Sequence, residues 1–197
     1  MLKCGCLVIF AKTIVIKKIV IIGPESTGKS TLCQTLATHY NTLWCPEFAR
    51  DYLTKNGMDY SYDDLLGIAK GQLELEEQYA SALKAQQKEK ETNSVLFLDT
   101  DMYVMKVWCE YVFGKCHQFI LDQIAIRKYD LYLLCNIDLP WVYDPLREYP
   151  DEKPRVELYQ VYKDLLVNQS TPWVTINGSY AERLTVAIKA VDELLNK

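Results

Sequence analysis

Runs of apolar side chains alternate along the chain with stretches in which apolar residues recur every three or four positions. "KKIVIIG" (17–23) is a continuous β-branched run closed by glycine, the pattern of a strand buried on both faces. "VLFLD" (95–99), "DLYLLC" (130–135) and the shorter "WVTI" (173–176) share this character, and "TLWC" (42–45) is a weaker strand. Between them, Leu66, Ala69, Leu73, Ala80 and Leu83 approximate one helical face; Leu184, Ala187, Ile188, Val191, Leu194 and Leu195 form another. Strands alternating with helices predict an α/β fold on a mostly parallel sheet. At 197 residues the chain suits one well-filled domain, expected over 17–197, and no repeat or linker divides it. The polar run "KAQQKEKE" (84–91) reads as a solvated helix end.

The first sixteen residues, "MLKCGCLVIFAKTIVI", carry a lysine and then an apolar run. The run is short, lacks an A-x-A-like cleavage site and leads into the next strand, so an N-terminal extension or extra edge strand is expected rather than a signal peptide. No stretch approaches the roughly 18 uninterrupted apolar residues of a membrane helix. A net charge of −4 gives no electrostatic footprint for a nucleic-acid backbone, which leaves small molecules as the expected partners, with neither nucleic acid nor membrane. The seven cysteines show no C-x-x-C spacing and sit in apolar surroundings, which predicts reduced thiols in the cytoplasm. Cys4 and Cys6 are close together, but a metal site there has only His39 and His117 to draw on among histidines.

The chemistry begins at "GPESTGKST" (23–31). G-x-x-x-x-G-K-[ST] binds phosphate because its glycines allow a tight loop whose N–H groups turn inward at a helix start. Here Gly23 ends a buried strand and "KSTLCQTLATHY" opens a helix, so Gly23, Glu25, Ser26, Thr27, Gly28, Lys29, Ser30 and Thr31 are the expected triphosphate cradle. Lys29 is assigned to the β- and γ-phosphates, Ser30 to Mg²⁺ and Thr31 to the α-phosphate region. In "FLDTD", Asp99 falls at the C-terminal end of a parallel strand, on the ligand-binding edge of such sheets, and is the expected Mg²⁺-linked acid. Asp101 reads equally as a substrate contact or as the N-cap of "MYVMKVWCEYVF".

Two further stretches favour transfer to a small acceptor over a switch or a motor. "CPEFARDYL" (45–53) places Glu47, Arg50 and Asp51 at a helix start, with Phe48 and Tyr52 inward if the helix is simply amphipathic. "PWVYDPLREYPDEKPR" (140–155) is an irregular, proline-rich lid whose Arg147 and Arg155 can reach the charge developing on a transferred phosphoryl group. Its alternative is a surface loop in which those arginines pair with Asp144, Glu148 or Asp151. Guanine-binding switches commonly use N-K-x-D, which this sequence lacks.

"GPESTGKSTL", "PEFARDYL", "FLDTD", "YDLYLLC" and "DLPWVYDPLRE", in this order and spacing, resemble the nicotinamide riboside kinase domain of the NadR family, from about residue 17 to the C-terminus. The resemblance implies a five-stranded, three-layer P-loop kinase fold with a lid, and ATP-dependent phosphorylation of the 5′-hydroxyl of nicotinamide riboside. It places the phosphate loop on Gly23 to Thr31, the Mg²⁺ acid on Asp99, the acidic helix start on Glu47, Arg50 and Asp51, and the lid on Trp141, Asp144 and Arg147. Glu47, Asp51 and Asp99 compete as acceptor of the hydroxyl proton, with Glu47 preferred; Tyr52, Trp141 and Trp44 are candidates to stack on a pyridinium ring. The family's tryptophan directly before the glutamate is absent, and Trp44 stands three residues ahead of Glu47. With no H-x-G-H adenylyltransferase motif, the sequence is expected to make the mononucleotide and stop. Another small-molecule P-loop kinase, such as one for deoxynucleosides, and a non-kinase nucleotide module are the competing readings.

Overall fold

The computed structural model describes residues 15–87 and 94–196. In chain order the elements are β1 (Ile16–Ile22), α1 (Lys29–His39), β2 (Trp44–Cys45), α2 (Phe48–Asn56), α3 (Tyr62–Gln87), β3 (Ser94–Asp99), α4 (Met102–Phe113), α5 (Gln118–Ile126), β4 (Leu131–Cys135), α6 (Glu152–Val167), β5 (Trp173–Ile176) and α7 (Tyr180–Leu195). The strands form one sheet in the order β2-β3-β1-β4-β5, and every pairing is parallel. The expected fold class is the one observed. The expectation for residues 1–16 falls largely outside the described residues, and so does the far end of the polar run at 84–91.

Alternation along β1 explains the three layers. Ile19 and Ile21 point into a core shared with α1 and α7, whereas Val20 and Ile22 point into a second core shared with α3, α4 and α6. Burial on both faces is what the unbroken apolar run required. A third cluster, built by Leu65, Ile68, Met105 and Ile120 with neighbours from α2, packs the outer helices together. Of the expected face of α3, Ala69, Leu73, Ala80 and Leu83 are buried and Leu66 is half-buried, while Leu65, Ile68, Gln72 and Glu76 widen the buried face. The polar pair is buried because it is partnered. Gln72 accepts from Phe48 N–H at 2.7 Å, and Glu76 takes Lys18, Arg127 and Tyr129.

Two helices were not legible as such. α5 was not anticipated, and α6 begins inside the proline-rich stretch, so Arg155 belongs to the first turn of a helix and not to a loop. Pro154 is tolerated there because the first turn of a helix has no intrahelical partner for its N–H groups. The sheet changes winding direction at β1, which pairs with β3 on one side and β4 on the other. Ligands of open α/β sheets bind at such a point, beyond the C-terminal strand ends.

Gly23 sits there with φ 140°, and a Cβ on it would lie 2.6 Å from the Cys135 carbonyl oxygen. Gly23→Ala combines backbone strain with a clash against main chain, and is expected to destabilise the fold by at least about 2 kcal/mol in urea unfolding.

Candidate active site

The phosphate loop leaves β1 at Gly23 and enters α1 at Lys29, with Ser26 (φ 56°) and Gly28 (φ 78°) in left-handed backbone. Those two residues tighten the turn and aim its N–H groups inward. Thr27 closes the turn by donating its hydroxyl to Pro24 O at 2.7 Å, and Lys29 Nζ donates to the same carbonyl at 2.9 Å. From behind, Arg183 of α7 donates to Thr27 O, Asn136 O and Gly178 O at 2.7 to 2.9 Å and pairs with Asp138. Nothing in the local sequence marked Arg183 for this role.

Below the loop, Asp99 stands at the end of β3 with the Ser30 hydroxyl beside it. Asp99 is buried, and its Oδ1 has no hydrogen-bond partner. Burial, and next the neighbouring Glu47 carboxylate, push its pKa up to about 6, against the lowering pull of Lys29 and Ser30. An orphaned carboxylate oxygen beside a hydroxyl is a hard-oxygen donor set that fits Mg²⁺, which takes few protein ligands and completes its shell with phosphate and water. Among the described residues no group of three or more His, Cys, Asp or Glu side chains forms a metal cage.

The loop forms one wall of a cavity of about 220 Å³, to which α2 contributes Glu47 and Arg50 and the lid contributes Arg147 and Glu148. Apolar and aromatic side chains complete the lining, among them Leu53, Met58, Val104, Trp108, Tyr111 and Val112. Glu47 stands at the N-cap of α2, yet its side chain makes no capping bond. The α2 start is held instead by Gln72, whose Nε2 also donates to Pro46 O at 3.3 Å.

The lid, residues 140–151, rests on the loop. Val142 N–H donates to Ser26 Oγ at 3.0 Å, Arg147 Nη1 to the same oxygen at 3.3 Å, and Glu25 accepts from the N–H groups of Glu148 and Tyr149. Arg50 pairs with Asp144 at 3.0 Å and ties α2 to the lid. Arg155 is buried at the head of α6, on the face it shares with Leu158 and Tyr162, and its Nε and Nη2 lack partners. A buried guanidinium with free donors is costly unless an anion completes it.

Several anticipated contacts lie elsewhere. Trp44 packs against the α1/α7 core, because consecutive residues of β2 face opposite sides and Cys45 takes the other one. Asp101 caps α4, accepting from Tyr103 N at 2.9 Å and Val104 N at 3.3 Å, and takes the Tyr132 hydroxyl at 2.8 Å; the cap reading holds, and Asp101 does not line the cavity. Tyr52 donates to Asp64 at 2.5 Å and packs in the outer cluster, and Asp51 faces solvent. Trp141 lies in the lid edge-on to Tyr143, away from the cavity wall. Trp108 does line the cavity, and within the apolar run of α4 no local signal sets it apart.

A glycine-closed strand, a phosphate loop and a helix start at the switch point of an all-parallel five-stranded sheet, under a lid, define the fold of the P-loop kinases. Residues 18–183 match the AAA domain family, and the chain belongs to it. It is 29% identical over 191 residues to the trifunctional NAD biosynthesis/regulator protein NadR of Escherichia coli (strain K12), and equally to that of Salmonella typhimurium. Each alignment covers 94% of this chain and 44% of the relative, so the chain spans less than half the length of these curated proteins. Among solved structures, NadR protein in complex with NR has a TM-score of 0.73 at 24% identity over 92% of this chain and 50% of that one. Thymidylate kinase from Ehrlichia chaffeensis has a TM-score of 0.62 at 14% identity over 91% and 99% respectively. Both likenesses show the shared fold.

The raised Asp99 pKa gives a signed prediction. The folded protein holds this proton more tightly than the unfolded chain does, so ionising Asp99 costs stability as pH rises from about 4 to above 6. In the absence of nucleotide and metal, Asp99→Asn is expected to be more stable at pH 8 by up to about 3 kcal/mol. Urea unfolding should show that gain shrinking towards zero as pH falls to about 4.

Proposed function

We propose that the chain transfers the γ-phosphoryl group of ATP to the 5′-hydroxyl of nicotinamide riboside, giving nicotinamide mononucleotide. The observation that carries this reading is the continuity of the phosphate loop with a cavity that is also lined by apolar and aromatic side chains. A nucleotide switch or motor has no use for such a chamber, whereas an acceptor needs one to exclude water. The cations lining it, Lys29, Arg50 and Arg147, belong to the loop, α2 and the lid, and Arg50 is already paired with Asp144. The apolar wall offers no cation to an acceptor that carries its own phosphate, which favours a nucleoside over a nucleotide. The identity to NadR over most of this chain, and the fold shared with the NadR complex with NR, support the choice of nucleoside.

Little covalent chemistry falls to the protein in phosphoryl transfer; alignment and charge stabilisation do the work. Loop N–H groups and Lys29 hold the phosphates, with Lys29 exchanging the Pro24 carbonyl for a phosphate oxygen. Arg147 stands at the lid for the equatorial charge, and Arg155 has unspent donors for an anion on that side. Glu47, on the cavity wall and free of capping duty, accepts the hydrogen bond of the attacking hydroxyl; Asp51 faces solvent, and Asp99 is buried beside Ser30, off the cavity wall. Ser30 and Asp99 would hold Mg²⁺, which when bound neutralises charge on the β- and γ-phosphates.

The test is ADP release with ATP and Mg²⁺ against nicotinamide riboside, deoxynucleosides, thymidylate and no acceptor. Turnover is expected with nicotinamide riboside; ADP release that ignores the acceptor would rule out a kinase, and turnover confined to deoxynucleosides or thymidylate would move the acceptor. Lys29→Ala should lower turnover at least about 100-fold with unfolding unchanged within about 1 kcal/mol.

A further inference from the structure

Tyr60 lies in the connection between α2 and α3, next to the cavity but not on its wall. Its hydroxyl accepts from Trp108 Nε1 at 2.9 Å and donates to the Glu148 carboxylate, 3.0 Å from both oxygens. One hydroxyl proton and one lone pair are thereby spent on the two sides of the chamber, with Trp108 on the apolar wall and Glu148 on the lid. The ring stands edge-on to Trp108, 5.0 Å between centroids, and again to Phe113 at 6.2 Å, so its position is fixed independently of the hydroxyl. Burial keeps the phenol protonated by pushing its pKa well above the usual range. The main chain of Glu148 is itself held by Glu25 of the phosphate loop, at 3.0 Å. Next to it, Tyr149 is also bound to Glu25 and meets Tyr111 of the apolar wall edge-on at 5.4 Å.

We propose that Tyr60 is a positioning residue that locks the Trp108 indole as the wall for the acceptor's ring and makes that lock depend on the lid, so that the acceptor chamber is completed only when the lid lies on the phosphate loop. The identity of the ring rests on the acceptor reading above; the linkage does not. Without the hydroxyl, Trp108 Nε1 loses its partner and Glu148 loses its hold on the wall, while the ring contacts remain. A change in the loop or lid then has no hydrogen bond through Tyr60 by which to reach Trp108.

The experiment labels the four tryptophans of the chain with 5-fluorotryptophan and assigns the Trp108 ¹⁹F resonance by its loss in Trp108→Phe. Addition of AMP-PNP and Mg²⁺, with no acceptor, is expected to move the Trp108 resonance in the parent protein. In Tyr60→Phe the movement should fall at least about five-fold, and Glu148→Ala should reproduce the loss. In steady state, Tyr60→Phe should raise the KM for nicotinamide riboside about ten-fold, the scale of one hydrogen bond to a charged group, with the KM for ATP within about two-fold. A Trp108 resonance that stays still in the parent, or moves equally in Tyr60→Phe, overturns the proposal, as does an equal loss for both substrates. If the parent fails to phosphorylate nicotinamide riboside, the acceptor assignment falls, and the resonance still decides the linkage.

Discussion

A triphosphate cradle made of main chain has to be held rigid without side chains that would fill it, and that constraint organises this molecule. The loop is clamped at both ends and from behind. Gly23 passes the Cys135 carbonyl closer than any Cβ allows, and α1 begins at Lys29 directly beyond the left-handed Gly28. The inner turn is closed by Thr27 on Pro24 O, and Arg183 grips its outer side. The double burial of β1 serves the same end, because a strand packed between two cores cannot yield when the loop is loaded.

Around this fixed part, the charged groups divide into spent and unspent. Arg50, Asp144 and Glu25 are spent on joining α2, the lid and the loop. Asp99 Oδ1 and two nitrogens of Arg155 are buried without partners. Opposite charges left unsatisfied near one cradle, a carboxylate below it and a guanidinium at the head of α6, are what a site looks like when an anion and a cation complete it together. Lys29 differs from both, since it borrows a loop carbonyl and can exchange it without loss.

The strands, the phosphate loop and Asp99 were legible because their signals are local: a β-branched run, two glycines at fixed spacing, an acid at a strand end. The cap at Asp101 was half legible, since an aspartate before a helix states one role and conceals whether it has another. What escaped was set by partners far apart in the chain. Trp108, Tyr60 and Glu148 meet across separations of 48 and 88 residues, and Gln72 reaches Phe48 across 24. Trp44 misled because β2 has only two residues, too few for alternation to reveal which face each takes. Density of proline concealed the start of α6, although Pro154 sits where a helix does not need its N–H.

Arg183 joins the phosphate loop to the turns after β4 and β5, segments distant in sequence that meet on one guanidinium. Substitutions at Asn136, Asp138 or Gly178 are therefore not independent of substitutions in the loop, since all share the one arginine. Their energetic effects should fail to add, and a change in one turn should alter which changes the others tolerate. In related chains these turns would drift as a group, with the arginine setting the limits within which each one varies.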